Sequence, residues 1–253
     1  MSAKQDSGMV WGLGLGPGDP DLVTIKAASI LKRAAVIAYP APEEGDSFAR
    51  MIAAPHLPGG QKEIAIRMNL GDGAFPKEDV YDRAAAAIMA ESAAGHEVAV
   101  LCEGDPFFYG SFQYLYGRLA GRCPVSIVPG VSSLMACADA AGMPLTAHND
   151  VLSVIPAPLP EAEIARRLKD CEAAAIMKLG RHLGKVRRVL QAQGLIDRTR
   201  YVEHATLGSE KVMALAEMHG ESAPYFSMLL VHKRAEAWSN RSIGEKTGQG
   251  GAS

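Results

Sequence analysis

The sequence predicts an α/β protein built as two α/β domains. Short apolar runs alternate with helix-length segments through both halves of the chain, the pattern of strands connected by crossover helices. Two of those runs stop at Gly-Asp-Pro, in Gly18-Asp19-Pro20 and Gly104-Asp105-Pro106. Such ends suit the carboxyl ends of buried parallel strands, where open α/β sheets meet their ligands. At 253 residues the chain has room for one large or two modest domains.

The elements follow in order. Met9 to Leu15 is an apolar strand. Asp19 is placed to cap a helix with Pro20 at its first position, running to about Arg33. Ala35 to Tyr39 reads as the second strand, Ser47 to Ala54 as a helix and Glu63 to Met68 as a short strand. The alanine-rich stretch from Glu78 to Ala94 is a long helix stopped by Gly95. A strand at Glu97–Cys102, a helix at Phe112–Leu119, a strand at Val125–Val128 and a helix at Ser132–Ala141 complete the first domain, residues 9–145. The polar connection from Gly142 to Asp150 is the expected boundary. The second domain, residues 150–233, then has strands at Leu152–Ile155, Ala173–Met177, Thr199–Glu203 and Phe226–Val231. Its helices fall at Glu161–Lys169 and Leu183–Gln193, with a further segment from Ser209 to Glu217. The glycine-rich tail, 234–253, is read as disordered and outside the fold.

Composition narrows the function classes. A net charge of -2 gives no general attraction to nucleic acid. No apolar run reaches membrane-spanning length, and residues 1–8 lack the apolar core of a secretory signal. Four cysteines (Cys102, Cys123, Cys137 and Cys171) stand far apart with no Cys-x-x-Cys, as in a reduced cytoplasmic protein. The seven histidines are scattered, so no metal site is expected.

Three segments carry chemistry. Gly12-x-Gly14-x-Gly16-Pro17-Gly18 invites a dinucleotide reading and fails it. Pro17 removes an amide that a pyrophosphate would use, and the second strand ends in Tyr39-Pro40 rather than in the acid that binds a ribose. No Walker A loop is present either. The second segment, Glu103 to Ser111, sets two acids around a glycine and follows them with Phe107, Phe108 and Tyr109. Carboxylates accept hydrogen bonds from hydroxyls or ammonium groups, and aromatics wall a planar base. In the third, Pro129-Gly130-Val131-Ser132-Ser133, a strand runs into a hydroxyl-rich helix start.

Taken in order, these segments resemble the tetrapyrrole methylase family, S-adenosylmethionine-dependent enzymes of two α/β domains. The likeness continues through Met177-Lys178-Leu179-Gly180-Arg181, Tyr201 to Thr206 and Tyr225-Phe226-Ser227, and so covers about residues 9–233. It implies a cofactor folded into a cleft between the domains. The implied S-adenosylmethionine contacts are Pro17, Glu103, Gly104, Asp105, Phe108, Ser132, Ser133, Leu179, Ala205 and Ser227. Relatives that methylate uroporphyrinogen III carry an acid shortly after the second strand; here Pro40 stands there, with Glu43 and Glu44 slightly later.

Glu103 to Ser111 and the Met-Lys-Leu-Gly stretch are most like family members that methylate C20 of precorrin-2, giving precorrin-3A in cobalamin biosynthesis. The electron-rich meso carbon is then the nucleophile, and the protein's tasks are alignment and exclusion of water. Candidates for handling the proton are Glu103, Tyr109, His148 and His204. Eight substrate carboxylates call for local cations, with Lys178, Arg181, Arg67 and Arg50 as candidates. Lys185, Arg187 and Arg188 read as a solvated helix face. The resemblance also implies a cytoplasmic homodimer with no nucleic-acid or membrane partner. The competing readings are methylation of the cobalt-loaded substrate, a relative acting on a non-tetrapyrrole, and a non-catalytic nucleotide-binding module.

Overall fold

The computed structural model describes residues 7–68 and 78–234. The tail assigned to 234–253 falls outside the described residues except for Arg234. The chain divides into two compact units at Ser133/Leu134, ahead of the connection from Gly142 to Asp150.

The first unit is built on a five-stranded sheet of β1 (Val10–Gly14), β2 (Val36–Pro42), β3 (Lys62–Met68), β4 (Val98–Cys102) and β5 (Val125–Val128). All pairs are parallel, in the order β3-β2-β4-β1-β5. Alternate residues of each strand serve opposite faces. Val98, Val100 and Cys102 of β4 join Val36 and Ala38 of β2 beneath α3 (Glu78–Ala93) and α4 (Phe112–Leu119). Ala99 and Leu101 join Leu13 and Ile37 beneath α1 (Ile25–Arg33) and α2 (Phe48–Ala53). Both faces of the central strands are therefore covered, which is why β1 and β4 read as continuous apolar runs.

One expectation is corrected. The helix after β1 does not run from Pro20 to Arg33. Asp19 caps only a single 3-10 turn, Pro20–Leu22, and Val23 is extended. Thr24 is the true cap of α1, its side-chain oxygen accepting from the Ala27 amide. The other helix and strand assignments hold to within about three residues at their ends, the usual scatter of such boundaries.

The second unit carries a mixed sheet in the order β6-β7-β10-β8-β9. It comprises β6 (Leu152–Pro156), β7 (Ala173–Met177), β8 (Thr199–Glu203), β9 (Lys211–Ala214) and β10 (Ser227–His232). Only β6 and β7 pair in parallel; β10 runs antiparallel between β7 and β8. The apolar stripes of α6 (Glu161–Lys169) and α7 (Leu183–Ala192) supply Ile164, Leu168, Leu183, Val186 and Leu190 to one core with Ile176, Tyr201 and Leu229. The helix α5 (Ser133–Ala140) follows β5.

At the carboxyl edge of the first sheet, backbone lies directly on backbone. A Cβ on Gly130 would run into the Gly104 carbonyl, and one on Gly14 into the Gly130 amide. Gly130→Ala is expected to lower stability by about 1–3 kcal/mol through overpacking. Gly117, on α4 with open space around it, is the control; Gly117→Ala is expected to raise stability by about 0.5–1 kcal/mol. Urea unfolding of both variants checks the contrast.

Candidate active site

In the first unit the sequence-assigned residues converge on one place. Connections from β1 to β2 and from β2 to β3 move one way across the sheet, past α1 and α2; those from β3 to β4 and β4 to β5 return the other way, past α3 and α4. Neighbouring strands β1 and β4 thus send their loops apart, and a crevice opens at such a switch point. The two loops leaving it are Leu15–Asp19 and Glu103–Ser111. They are joined by reciprocal bonds, Gly16 N–H to Gly104 O at 3.2 Å and Gly104 N–H to Gly16 O at 2.7 Å. Gly104 holds φ at +63°, with open space where a Cβ would project.

Asp105 locks the third loop to this pair. Its Oδ1 accepts from the Phe107 amide at 2.9 Å, and its Oδ2 from the Gly130 amide at 3.0 Å. The carboxylate assigned as a direct cofactor contact is thus engaged by two backbone amides of its own unit. Ser132 and Ser133 follow Gly130 and are half-buried, as are Pro17 and Phe108. Glu103 is half-buried too; burial pushes its carboxyl above the usual glutamate range, against the opposing pull of the backbone amides of Glu103 and Ala49. Phe107 and Tyr109 remain exposed, packed edge-on against Tyr116 and Phe108. Burial raises the neighbouring Cys102 thiol to about 12, so it is inert.

The second unit gathers its own set. Because β10 runs opposite to β7 and β8, its first residues sit beside their last, Met228 against Met177 and Ser227 against Glu203. Lys178, Leu179, His204, Ala205 and Ser227 therefore share one sheet edge. Leu179 is wholly buried in the core, so its side chain does not reach the surface. Ala205 and Ser227 are each 8% exposed, and the Ser227 hydroxyl donates to Pro224 O at 2.6 Å. Beside them Glu203 accepts from the Tyr201 hydroxyl at 2.6 Å and from Lys211 at 3.1 Å. Burial alone would raise the Glu203 carboxyl, but these bonds outweigh it and hold it below its usual range. His204 lies with its Nδ1 3.1 Å from Ser209 and 3.8 Å from Glu203.

His148 does not join that edge. It precedes β6, whose start pairs with the start of β7. Its segment is tied instead to the far end of β10: Asp150 accepts from the Ala147 amide and lies 3.6 Å from His232 and 2.7 Å from Arg234. The expected solvated face on α7 also needs correction. Lys185 donates to Leu159 O and Arg188 pairs with Glu161, but Nε and Nη2 of Arg187 are buried without a hydrogen-bond partner. Arg50 and Arg67 both line a cleft in the first unit.

Among described non-glycine residues, positive φ occurs at Tyr109 (56°), His148 (52°), Lys178 (59°), His204 (52°) and Thr206 (70°). Four of these five were site candidates from sequence. Composition gives no hint of strained backbone; Thr206 stands in the matched stretch Tyr201 to Thr206 without having been a site candidate. No group of three or more His, Cys, Asp or Glu side chains among the described residues is placed to hold a metal ion. Nor is any described helix long and apolar enough to cross a membrane.

Comparison with known proteins decides the family. The model for Tetrapyrrole (Corrin/Porphyrin) Methylases matches residues 9–218. The chain belongs to the tetrapyrrole methylase family. This methylase is 43% identical to a precorrin-2 C(20)-methyltransferase from Sinorhizobium sp., over 92% of its own length and 97% of that protein's. It is 35% identical to a cobalt-precorrin-2 C(20)-methyltransferase from Salmonella typhimurium, over 91% and 98%. Its fold is that of the uroporphyrin-III C-methyl transferase from Thermus thermophilus solved with S-adenyl homocysteine, at TM-score 0.64 and 24% identity, covering 88% of this chain and 97% of that one.

Two outcomes are expected from this geometry. Asp105→Asn faces an amide group toward a backbone N–H and is expected to cost about 1–3 kcal/mol in urea unfolding. Glu103, with its folded pKa raised, favours the native state below the unfolded glutamate range, and this contribution is lost as pH rises through the folded value. Glu103→Gln is therefore expected to match the parent's melting temperature in acid and to exceed it at neutral pH. Equal melting temperatures across the whole pH range would contradict the burial argument.

Proposed function

We infer that this methylase transfers the methyl group of S-adenosylmethionine to C20 of precorrin-2, giving precorrin-3A. The observation that carries this is the 43% identity, over nearly the full length of both chains, to the Sinorhizobium precorrin-2 C(20)-methyltransferase. The first unit suits the cofactor: open space over Gly104 admits a ligand edge against the backbone, with half-buried Pro17, Glu103, Phe108, Ser132 and Ser133 around it. Ala205, Ser227 and the backbone at Leu179 are the contacts proposed from the second unit. A cytoplasmic homodimer belongs to the same reading and rests on the family resemblance.

S-adenosylmethionine supplies an electrophilic methyl on a cationic sulfur. The chain's part is orientation and exclusion of water. Asp105 fixes the crevice by holding Gly130 and Phe107 in place. The substrate's own meso carbon is the nucleophile; its electrons form the new carbon–carbon bond while the carbon–sulfur pair returns to sulfur. Glu103, with its raised pKa beside Gly104, is the proposed group for holding the proton that must leave.

The Salmonella relative favours a second reading, methylation of the cobalt-loaded substrate. Turnover of metal-free and cobalt-loaded precorrin-2 by the full chain, with the product examined by mass spectrometry and NMR, separates them. One added methyl at C20 of the metal-free substrate is expected; methylation of the cobalt form alone would overturn the choice. Asp105→Ala is expected to weaken S-adenosylhomocysteine binding about tenfold, equivalent to roughly 1.4 kcal/mol, by calorimetry.

A further inference from the structure

At the outer edge of the first sheet the register places unusual residues in line. Ile37, Tyr39 and Ala41 of β2 pair with Glu63, Ala65 and Arg67 of β3. Paired residues of parallel strands share a face. Ile37 and Tyr39 pack with the core beneath α1 and α2, so Glu63 and Arg67 lie on that same face. The opposite face of β3 presents Ile64, Ile66 and Met68 to the core beneath α3. The α2 face therefore ends in charge where apolar residues would continue the core.

α2 is only six residues long and is pinned by Ser47, whose hydroxyl donates to Pro40 O and accepts from the Arg50 amide. Beside it opens a cleft of about 460 Å³, within the range of small-ligand sites. Tyr39, Phe48 and Met51 give it apolar walls, and Arg50, Arg67 and Asp46 give it charge. These charges are unequal in availability. Arg50 is paired with Glu63 at 3.1 Å, and the Tyr39 hydroxyl donates to the same carboxylate at 2.6 Å. The guanidinium of Arg67 donates from one nitrogen to the carbonyls of Pro42 and Glu43, at 2.9 and 3.3 Å. No described carboxylate lies within ion-pair distance of Arg67. Among the described residues only one of its guanidinium nitrogens is hydrogen-bonded, to main-chain carbonyls.

We propose that this cleft receives one carboxylate side arm of the tetrapyrrole, with Arg67 as its ionic partner and the Tyr39–Glu63–Arg50 cluster as the rigid wall that orients it. The assignment rests on the reading of the substrate as an acidic tetrapyrrole. A guanidinium matches a carboxylate through paired donors. The apolar walls accept the methylene stem, and the volume suits an arm rather than the macrocycle. Arg50, already neutralised by Glu63, acts as a positioning residue.

The test is steady-state kinetics of the full chain with precorrin-2, alongside calorimetric binding of S-adenosylhomocysteine. Arg67→Ala is expected to raise KM for precorrin-2 about tenfold, the cost of a lost charge-assisted pair, and to leave S-adenosylhomocysteine affinity within about twofold of the parent. Arg67→Lys, which keeps the charge and loses the fork, is expected to fall between them. If both variants keep the parent's KM, the proposal is wrong while the methylase reading stands. If Arg67→Ala also loses S-adenosylhomocysteine binding, its fold has failed and Arg67→Lys decides: a raised KM with intact cofactor affinity supports the proposal, and an unchanged KM overturns it. Failure of the parent to methylate either form of precorrin-2 would instead overturn the functional reading.

Discussion

Three loops of the first unit meet with no side chains between them, and this close approach of Gly14, Gly104 and Gly130 governs the crevice. Strands β1 and β4 run in parallel to Gly14 and Cys102, and the chains then turn so that Gly16 and Gly104 exchange hydrogen bonds in an antiparallel bridge. Gly16 and Gly104 both hold positive φ there, and bulk is excluded next to the bridge, where a Cβ on Gly130 would meet the Gly104 carbonyl. Backbone amides that would otherwise be stranded at the sheet edge find partners in one another, which removes a cost of about 1–3 kcal/mol for each buried group left unpaired. Asp105 extends the same logic to β5's loop through the Gly130 amide. A carboxylate accepting two amides is charge-assisted at both oxygens and holds its loop stiffly.

The sheet around these loops explains why they can be so closely set. Every strand of the first unit is parallel, and β4 at its centre is buried on both faces, so its pleat alternates residues between two independent cores. The reversal of crossover direction between β1 and β4 leaves their carboxyl ends uncovered by helices. The β2–β3 register puts Tyr39 and Arg67 on the α1–α2 face at the outer strands, where short α2 leaves a cleft. Polar chemistry thus collects along one edge because topology, rather than composition, keeps helices away from it.

Much of this was legible in the sequence, and the parts that were not have physical causes. Helices such as Phe112–Leu119 and Glu161–Lys169 were read to the residue, since apolar period and stop signals agree there. The start of α1 was misread because Asp19-Pro20 is as good a local cap as Thr24; the competition is settled by the extended Val23 between them. Antiparallel insertion of β10 between β7 and β8 leaves no local trace, because a buried central strand reads alike in either direction. The site loops were legible as glycine-rich strand ends. The partner of Asp105 was not: a carboxylate in a loop signals an acceptor, but only the fold shows that Gly130, 25 residues away, supplies the donor.

Both units hold left-handed backbone at their site loops, and the residues that adopt it bear on chemistry. In the first, Gly16 and Gly104 hold positive φ where glycine carries no steric penalty, and Tyr109 holds it with a side chain. In the second, Lys178, His204 and Thr206 hold it at the ends of β7 and β8, at a cost of order 1–3 kcal/mol each. Glycine would relieve that strain but would delete an ammonium, an imidazole and a hydroxyl from one sheet edge. Nearby Glu203 is fixed by Tyr201 and Lys211, so the strain at His204 is borne by a strand end that is already rigid. Bare backbone is thus kept at Gly104, whereas Tyr109 and the ends of β7 and β8 keep side chains and sustain the strain of doing so.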